Sequence, residues 1–131
     1  LGEGVDVDSS GNRIAMTCGA GVRVYDLTGG VWVQAGLDIT VGVEVATDCV
    51  LSDDGLKLSA RFGADGIYTF EWSGGAWGQV GQSPVTYGSI YELSAFGDKI
   101  SSSLAISGDG LTLAVGDPIP GNGTVETYKF Q

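Results

Sequence analysis

The side chains able to do chemistry in this 131-residue chain are carboxylates, two thiols and a set of aromatic rings; histidine is absent. That absence removes the commonest general base, the Ser-His-Asp arrangement and every metal site that uses imidazole. Among the acids, Asp53-Asp54 and Asp38 are the pair that a carboxylate-dependent hydrolase would use. Such a reaction needs two carboxyls converging across a cleft, and nothing in their spacing makes these converge. Asp before Gly is what a tight turn selects for backbone reasons. Asp53 and Asp54 therefore read as turn residues, no catalytic residue is expected, and the chain reads as a non-enzyme with no cofactor.

The rings offer a second chemistry. Trp32 and Trp77 stand 45 positions apart, and with Trp72, Tyr68, Tyr87 and Tyr91 they could stack on sugars. Matched tryptophans in a lectin-like module would make a family of similar shallow sites; matched tryptophans in a stacked β protein pack between units. Cys18 and Cys49, the only cysteines, permit a disulfide or two reduced thiols. No C-x-x-C spacing supports redox or zinc chemistry. Asn122-Gly123-Thr124 fits the N-glycosylation pattern, which matters only outside the cytosol.

Composition narrows the partners. Sixteen acidic and six basic residues give a formal net charge of −10. Phosphate backbones and anionic membrane surfaces both require the opposite sign, so neither nucleic acid nor a lipid surface is expected. No apolar run approaches the roughly 20 residues of a membrane-spanning helix, which argues against direct membrane insertion. A start at Leu1 fits a processed or truncated form, and a secreted, extracellular or organelle-lumen setting is favoured. Glycine is abundant at 23 residues and proline scarce at 3, which means many tight turns between short ordered segments.

Those turns repeat. Ser9-Ser10-Gly11, Asp53-Asp54-Gly55 and Gly108-Asp109-Gly110 align, each between two β-prone runs. The preceding runs are Val5–Val7, Cys49–Leu51 and Leu104–Ile106; the following ones begin at Arg13, Lys57 and Leu111. Two such runs joined by a glycine-containing turn make a hairpin. A third strand follows in each unit, with Tyr25, Phe70 and Tyr128 in register and Leu27, Trp72 and Phe130 two positions later. Units one and two continue through Gly29-Gly30-Val31-Trp32 and Gly74-Gly75-Ala76-Trp77 into a fourth strand ending near Gly36 and Gly81. The third unit stops at Gln131, before a fourth strand.

Four short antiparallel strands in about 45 residues describe a propeller blade. The expected fold is an all-β, single repeat domain over 1–131 that forms part of a β-propeller. Repeat one covers about 1–40, repeat two about 41–82, an insertion about 83–95 and repeat three about 96–131. The alternative is a closed threefold fold, a β-trefoil or β-prism. Val22 and Val24 should face one neighbour while Tyr25 and Leu27 face the other.

The third unit carries a family resemblance. Phe96-Gly97, then Ser103 to Gly110, then Leu113-Ala114-Val115-Gly116-Asp117-Pro118, resembles FG-GAP-type β-propeller repeats. Unit two has Val41-Gly42 at the FG position, 13 residues before its turn glycine as in unit three, and Arg61-Phe62-Gly63 at the GAP-like position. Unit one shows only Thr17-Cys18-Gly19 there. Calcium-holding members of that family carry an acidic loop between these strands. The loops here shrink to Ser52-Asp53-Asp54-Gly55 and Ser107-Gly108-Asp109-Gly110, which offer one or two carboxylates where calcium wants six to eight oxygens. Asp6, Asp8 and Ser10 alternate before Gly11 without a following acid at the needed spacing, so no metal is expected.

Fewer than three full blades leave apolar end faces and bare strand edges, which proteins normally cover. The expectation is a non-catalytic structural or protein-interaction module, an accessory subunit or part of a larger assembly. A protein partner or self-association would complete the open array. The insertion, with Tyr87, Ile90, Tyr91 and Leu93, is the candidate partner-binding element, because insertions on repeat scaffolds build contact surfaces.

Overall fold

In a computed structural model, described over residues 4–63, 66–85, 103–117 and 124–130, the chain forms twelve strands in three antiparallel sheets, with no helix among the described residues. Blade one holds β1 (Val5–Val7), β2 (Arg13–Cys18), β3 (Gly21–Thr28) and β4 (Val31–Gln34) in sequential order, with β5 (Ile39–Thr40) also on β3. Blade two is β6 (Ala46–Leu51), β7 (Lys57–Phe62), β8 (Gly66–Ser73) and β9 (Ala76–Val85). Blade three is β10 (Ser103–Ile106), β11 (Thr112–Asp117) and β12 (Thr124–Lys129). This is a partial β-propeller. The three sheets share no strand pairing among the described residues, unlike the joined hairpins of a closed threefold barrel.

The first hairpin of every blade is set by one side-chain network. In blade two the Ser52 hydroxyl donates to Asp54 Oδ1 at 2.7 Å and accepts from the Lys57 N–H, while Asp54 Oδ1 accepts from the Leu56 N–H. Ser107 and Asp109 repeat the pattern with the N–H groups of Thr112 and Leu111. Blade one exchanges the two residue types. There Ser10 donates to Asp8, Asp8 accepts from the Arg13 N–H, and Ser10 accepts from the Asn12 N–H. Gly11, Gly55 and Gly110 close the turns at φ of 74°, 68° and 69°, where a side chain would be strained.

The outer strands differ from the sequence expectation at their ends. In blade two β9 runs on to Val85, past Gly81 and into the stretch read as an insertion, with a register shift between its pairings to Ile67 and Thr69. Blade one breaks the corresponding strand: β4 pairs the second half of β3 and β5 its first two residues, on either side of Ala35–Asp38. Gly21 sits at that second pairing because a Cβ there would lie 2.6 Å from the Ile39 carbonyl oxygen.

Packing between blades follows one rule. Each strand alternates faces, so every blade has one face of large apolar residues and one of small or β-branched residues. Ala15, Val22 and Val24 of blade one meet Leu51, Leu58, Phe62 and Phe70 of blade two in the main core. Ile67 and Val50 of blade two meet Leu113, Val115, Tyr128 and Phe130 of blade three in the second. Phe62 holds Tyr68 and Phe70 edge-on at centroid distances of 5.9 and 6.3 Å, an arrangement the ring quadrupoles favour.

Candidate interaction surface

A ladder of backbone hydrogen bonds runs from turn to turn across the joints. The Ser9 N–H of blade one donates to the Asp53 carbonyl of blade two at 3.0 Å, and the Ser9 hydroxyl adds a bond to the same oxygen. The Asp53 N–H donates in turn to the Gly108 carbonyl of blade three at 2.9 Å. Equivalent residues thus use the same atoms at both joints, always from one blade to the next.

A cation sits two residues after each of the first two turn glycines. Arg13 forks onto Asp26 at 2.6 and 2.8 Å and donates to the Gly55 carbonyl at 2.9 Å. The Asp26 carboxylate raises the Arg13 pKa further above its ordinary value, against the opposing effect of burial. The guanidinium carbon lies 5.1 Å from the Trp72 ring and 5.7 Å from Trp77, within cation–π reach. Lys57 occupies the corresponding place in blade two, 3.8 Å from Glu71, with its stem beside Gly110. Both turn glycines leave room for the preceding blade's cation, whereas beside Gly11 the space is open.

Carboxylates from the preceding blade also cap inner-strand N–H groups. Asp6 accepts from Leu51 at 2.7 Å, and Asp48 accepts from Leu104. Burial raises the Asp48 pKa, against the lowering effect of the Cys49 and Leu104 N–H bonds and of the Arg61 charge.

Trp77 belongs to the first joint. Its Nε1–H donates to the Ala35 carbonyl of blade one at 3.1 Å, and its ring lies 5.3 Å from that of Trp72. Trp32, its repeat equivalent, is 42% exposed, because no described blade stands before blade one. The two tryptophans therefore do not form a matched pair of sites. Around Trp32 no described blade covers the large-residue face of blade one: Val5 is 67% exposed, Val7 51% and Leu27 37%. Their blade-two counterparts Cys49, Leu51 and Trp72 lie in the core or against it. At the other end, the small-residue face of blade three presents Val125, Thr127 and Lys129 to solvent.

The remaining sequence candidates fall apart from one another. Asp38 is bound by Arg23 at 2.9 Å and by Gln34, and its pKa is held below the usual carboxylate value mainly by the Arg23 hydrogen bond. The Asp54 carboxylate is engaged by its own turn, and the Asp53 backbone belongs to the inter-blade ladder. The disulfide that Cys18 and Cys49 permit is not formed; both are free thiols. Strand alternation explains this: Cys18 projects from the uncovered face of blade one, whereas Cys49 is buried against the opposite face of that blade. Burial, and then the Asp48 and Asp6 charges, push the Cys49 thiol up to about 12. Tyr87, Ile90, Tyr91, Leu93, Asn122 and Phe96-Gly97 lie outside the described residues. Arg13 escaped the sequence reading, although a cation two residues after the turn glycine in both of the first two units was a visible signal.

No protein-family model matches the chain, and no curated protein matches it in sequence. Its likeness to known proteins lies in the fold. Saccharomyces cerevisiae Sqt1 superposes with a TM-score of 0.65 at 14% identity, over 99% of this chain and 32% of its own. TolB from Acinetobacter baumannii gives 0.56 at 14%, over 97% and 29%. A chain of Kuenenia stuttgartiensis hydrazine synthase gives 0.62 at 17%, over 98% and 34%. The chain spans about a third of the length of these structures. At such identities the likeness establishes the partial propeller fold and nothing finer.

Proposed function

We propose that this chain is a non-catalytic structural and protein-interaction module that works as part of a larger assembly. The observation that carries the reading is the uncovered apolar face of blade one. Val5, Val7, Leu27 and Trp32 stand exposed where blade two uses the equivalent positions to build its core or pack against it. Exposed apolar residues on one sheet face of this kind mark an interaction surface. The carboxylates of Asp54, Asp6 and Asp38 are engaged by a turn, a strand edge and an ion pair, which supports a non-catalytic reading.

The test is the binding of an apolar dye such as bis-ANS to the dilute chain. The open face binds dye, and Leu27→Asp with Trp32→Asp reduces the signal several-fold without altering the β-sheet circular dichroism. Dye binding that is absent, or unchanged by the pair, contradicts the reading. A second reading, sugar stacking, rests on the exposed Trp32 ring alone. A change in tryptophan fluorescence on adding glycans, abolished by Trp32→Ala, would favour it.

A further inference from the structure

The outer strands of blades one and two are interrupted at the same rung. In blade one the Ala35 N–H still reaches the Val24 carbonyl at 2.8 Å, and pairing resumes with Ile39 opposite Val22. Gly36, Leu37 and Asp38 are therefore looped out opposite the single residue Arg23. In blade two Val80 pairs Thr69 and Val85 pairs Ile67, which leaves residues 81–84 opposite Tyr68 alone. Tyr68 and Val80 follow Arg23 and Ala35 by the same 45 positions that separate the tryptophans. The excursion of blade one is held from both sides. Arg23 forks onto Asp38 at 2.9 Å, and Gln34 donates to the same carboxylate at 2.8 Å. Gly36, at φ 80°, lies where a Cβ would stand 2.9 Å from the Trp72 ring, and the Ala35 carbonyl takes the Trp77 Nε1–H. Leu37 is 87% exposed, so the excursion does not serve to bury it. A bulge that recurs and is pinned in this way is a built feature of the strand.

What it interrupts is an edge suited to strand addition. Val31 and Val33 turn their backbones to β3, by the alternation that turns Ala35 to Val24. The N–H and C=O groups of Trp32 and Gln34 thus face the rim, where β4 pairs no other strand among the described residues. Val31 and Val33 are 62% and 52% exposed, and no charged residue occurs from Leu27 to Leu37. An uncharged, β-branched edge is a template for a strand of another chain. We propose that the two excursions are edge guards, which end each outer edge early so that no further strand adds to the rim. In blade one only two residues face the rim before the chain turns away. The blade-two excursion also contains Pro84, which has no N–H to offer a partner strand. The outer strand of a blade lies on the rim whatever stands before or after that blade, so the guard is independent of the interaction reading above.

Deletion of Leu37 and Asp38 tests this, because it leaves Gly36 alone opposite Arg23 and joins Val31 to Thr40 in one strand. The shortened chain, checked for β-sheet by circular dichroism, should sediment as larger species than the wild type. Its thioflavin T signal should rise at least about fivefold, as expected of edge-to-edge strand pairing. Adding Val33→Lys should reverse both changes by charging the edge. Val43→Lys, which puts the same charge on a 92%-exposed residue off the edge, should not. The matching deletion of residues 82–84 leaves Gly81 opposite Tyr68 and should have the same effect from blade two. In the wild type, a synthetic peptide of residues 28–34 should leave hydrogen exchange at the Trp32 and Gln34 N–H groups unchanged within about twofold. A folded deletion chain that associates no more than the wild type overturns the guard. So does association that Val33→Lys leaves intact or that Val43→Lys relieves equally. Slowed exchange at Trp32 and Gln34 when the peptide meets the wild type overturns it without any variant.

Discussion

The guanidinium of Arg13 in blade one is stacked 5.1 Å from the ring of Trp72 in blade two, while its fork holds Asp26 of its own blade and its third bond holds the Gly55 carbonyl. One side chain thus ties a strand pair, a turn and an aromatic cluster together across a blade joint. Arg13→Ala should cost about 2 kcal/mol, discounted from a fully buried pair because Asp26 is partly exposed. Arg13→Lys should recover less than half of that, because an ammonium cannot fork onto a carboxylate and reach a carbonyl together. Urea unfolding followed by tryptophan emission measures both.

The turn network makes a separate prediction. Blade one uses Asp8 and Ser10 where blade two uses Ser52 and Asp54, with the same pair of backbone N–H groups satisfied. Ser52→Asp with Asp54→Ser should therefore leave stability within about 0.5 kcal/mol of wild type. Ser52→Ala alone should cost about 1 to 2 kcal/mol, since Ser52 is buried and the Lys57 N–H loses its acceptor. A double variant as unstable as the alanine variant would break the equivalence.

Acid should loosen the same turns. Hydrogen bonds from Ser52 and Ser107, respectively, depress the Asp54 and Asp109 pKa values below their ordinary 3.8. A depressed folded pKa means stability that is fully present above the unfolded value and is lost as the pH falls through the folded one. The melting temperature should therefore fall once the pH drops below about 4. Asp54→Asn with Asp109→Asn should lower it at neutral pH and flatten that acid limb. Asp48 acts oppositely: its raised pKa gives stability at low pH that is lost as the pH rises through its folded value.

Local chemistry made most of the fold legible in the sequence. Turn glycines, alternating strands and the matched Tyr25, Phe70 and Tyr128 are short-range signals, and the three blades follow them. Less legible was whatever depends on a neighbouring blade. The roles of Trp32 and Trp77 differ although their sequence contexts match, because among the described residues only Trp77 has a blade before it. Cys18 and Cys49 lie on opposite sides of the blade-one sheet, and the placement of blade two against that sheet is not recorded in any local pattern. The outer-strand break at Ala35–Asp38 is likewise set by pairing to β3 and not by a turn signal.

The thiols give a direct check on that separation. Cys49 is buried with its thiol held protonated up to about 12, and Cys18 is only half-buried. The thiolate is the reactive species, so in the native chain iodoacetamide at pH 8 should label Cys18 at least about tenfold faster than Cys49. Equal labelling rates would place Cys49 outside the blade-one joint.

The environment of Trp32 tests the central claim most directly. Fluorine NMR of the fluorotryptophan-labelled chain, with the Trp32 resonance assigned by Trp32→Phe, reports each ring's exposure to water separately. At low concentration Trp32 should show the largest shift between light and heavy water, with Trp72 and Trp77 showing little. A Trp32 ring shielded from water to the same degree as Trp77 would contradict an open blade-one face.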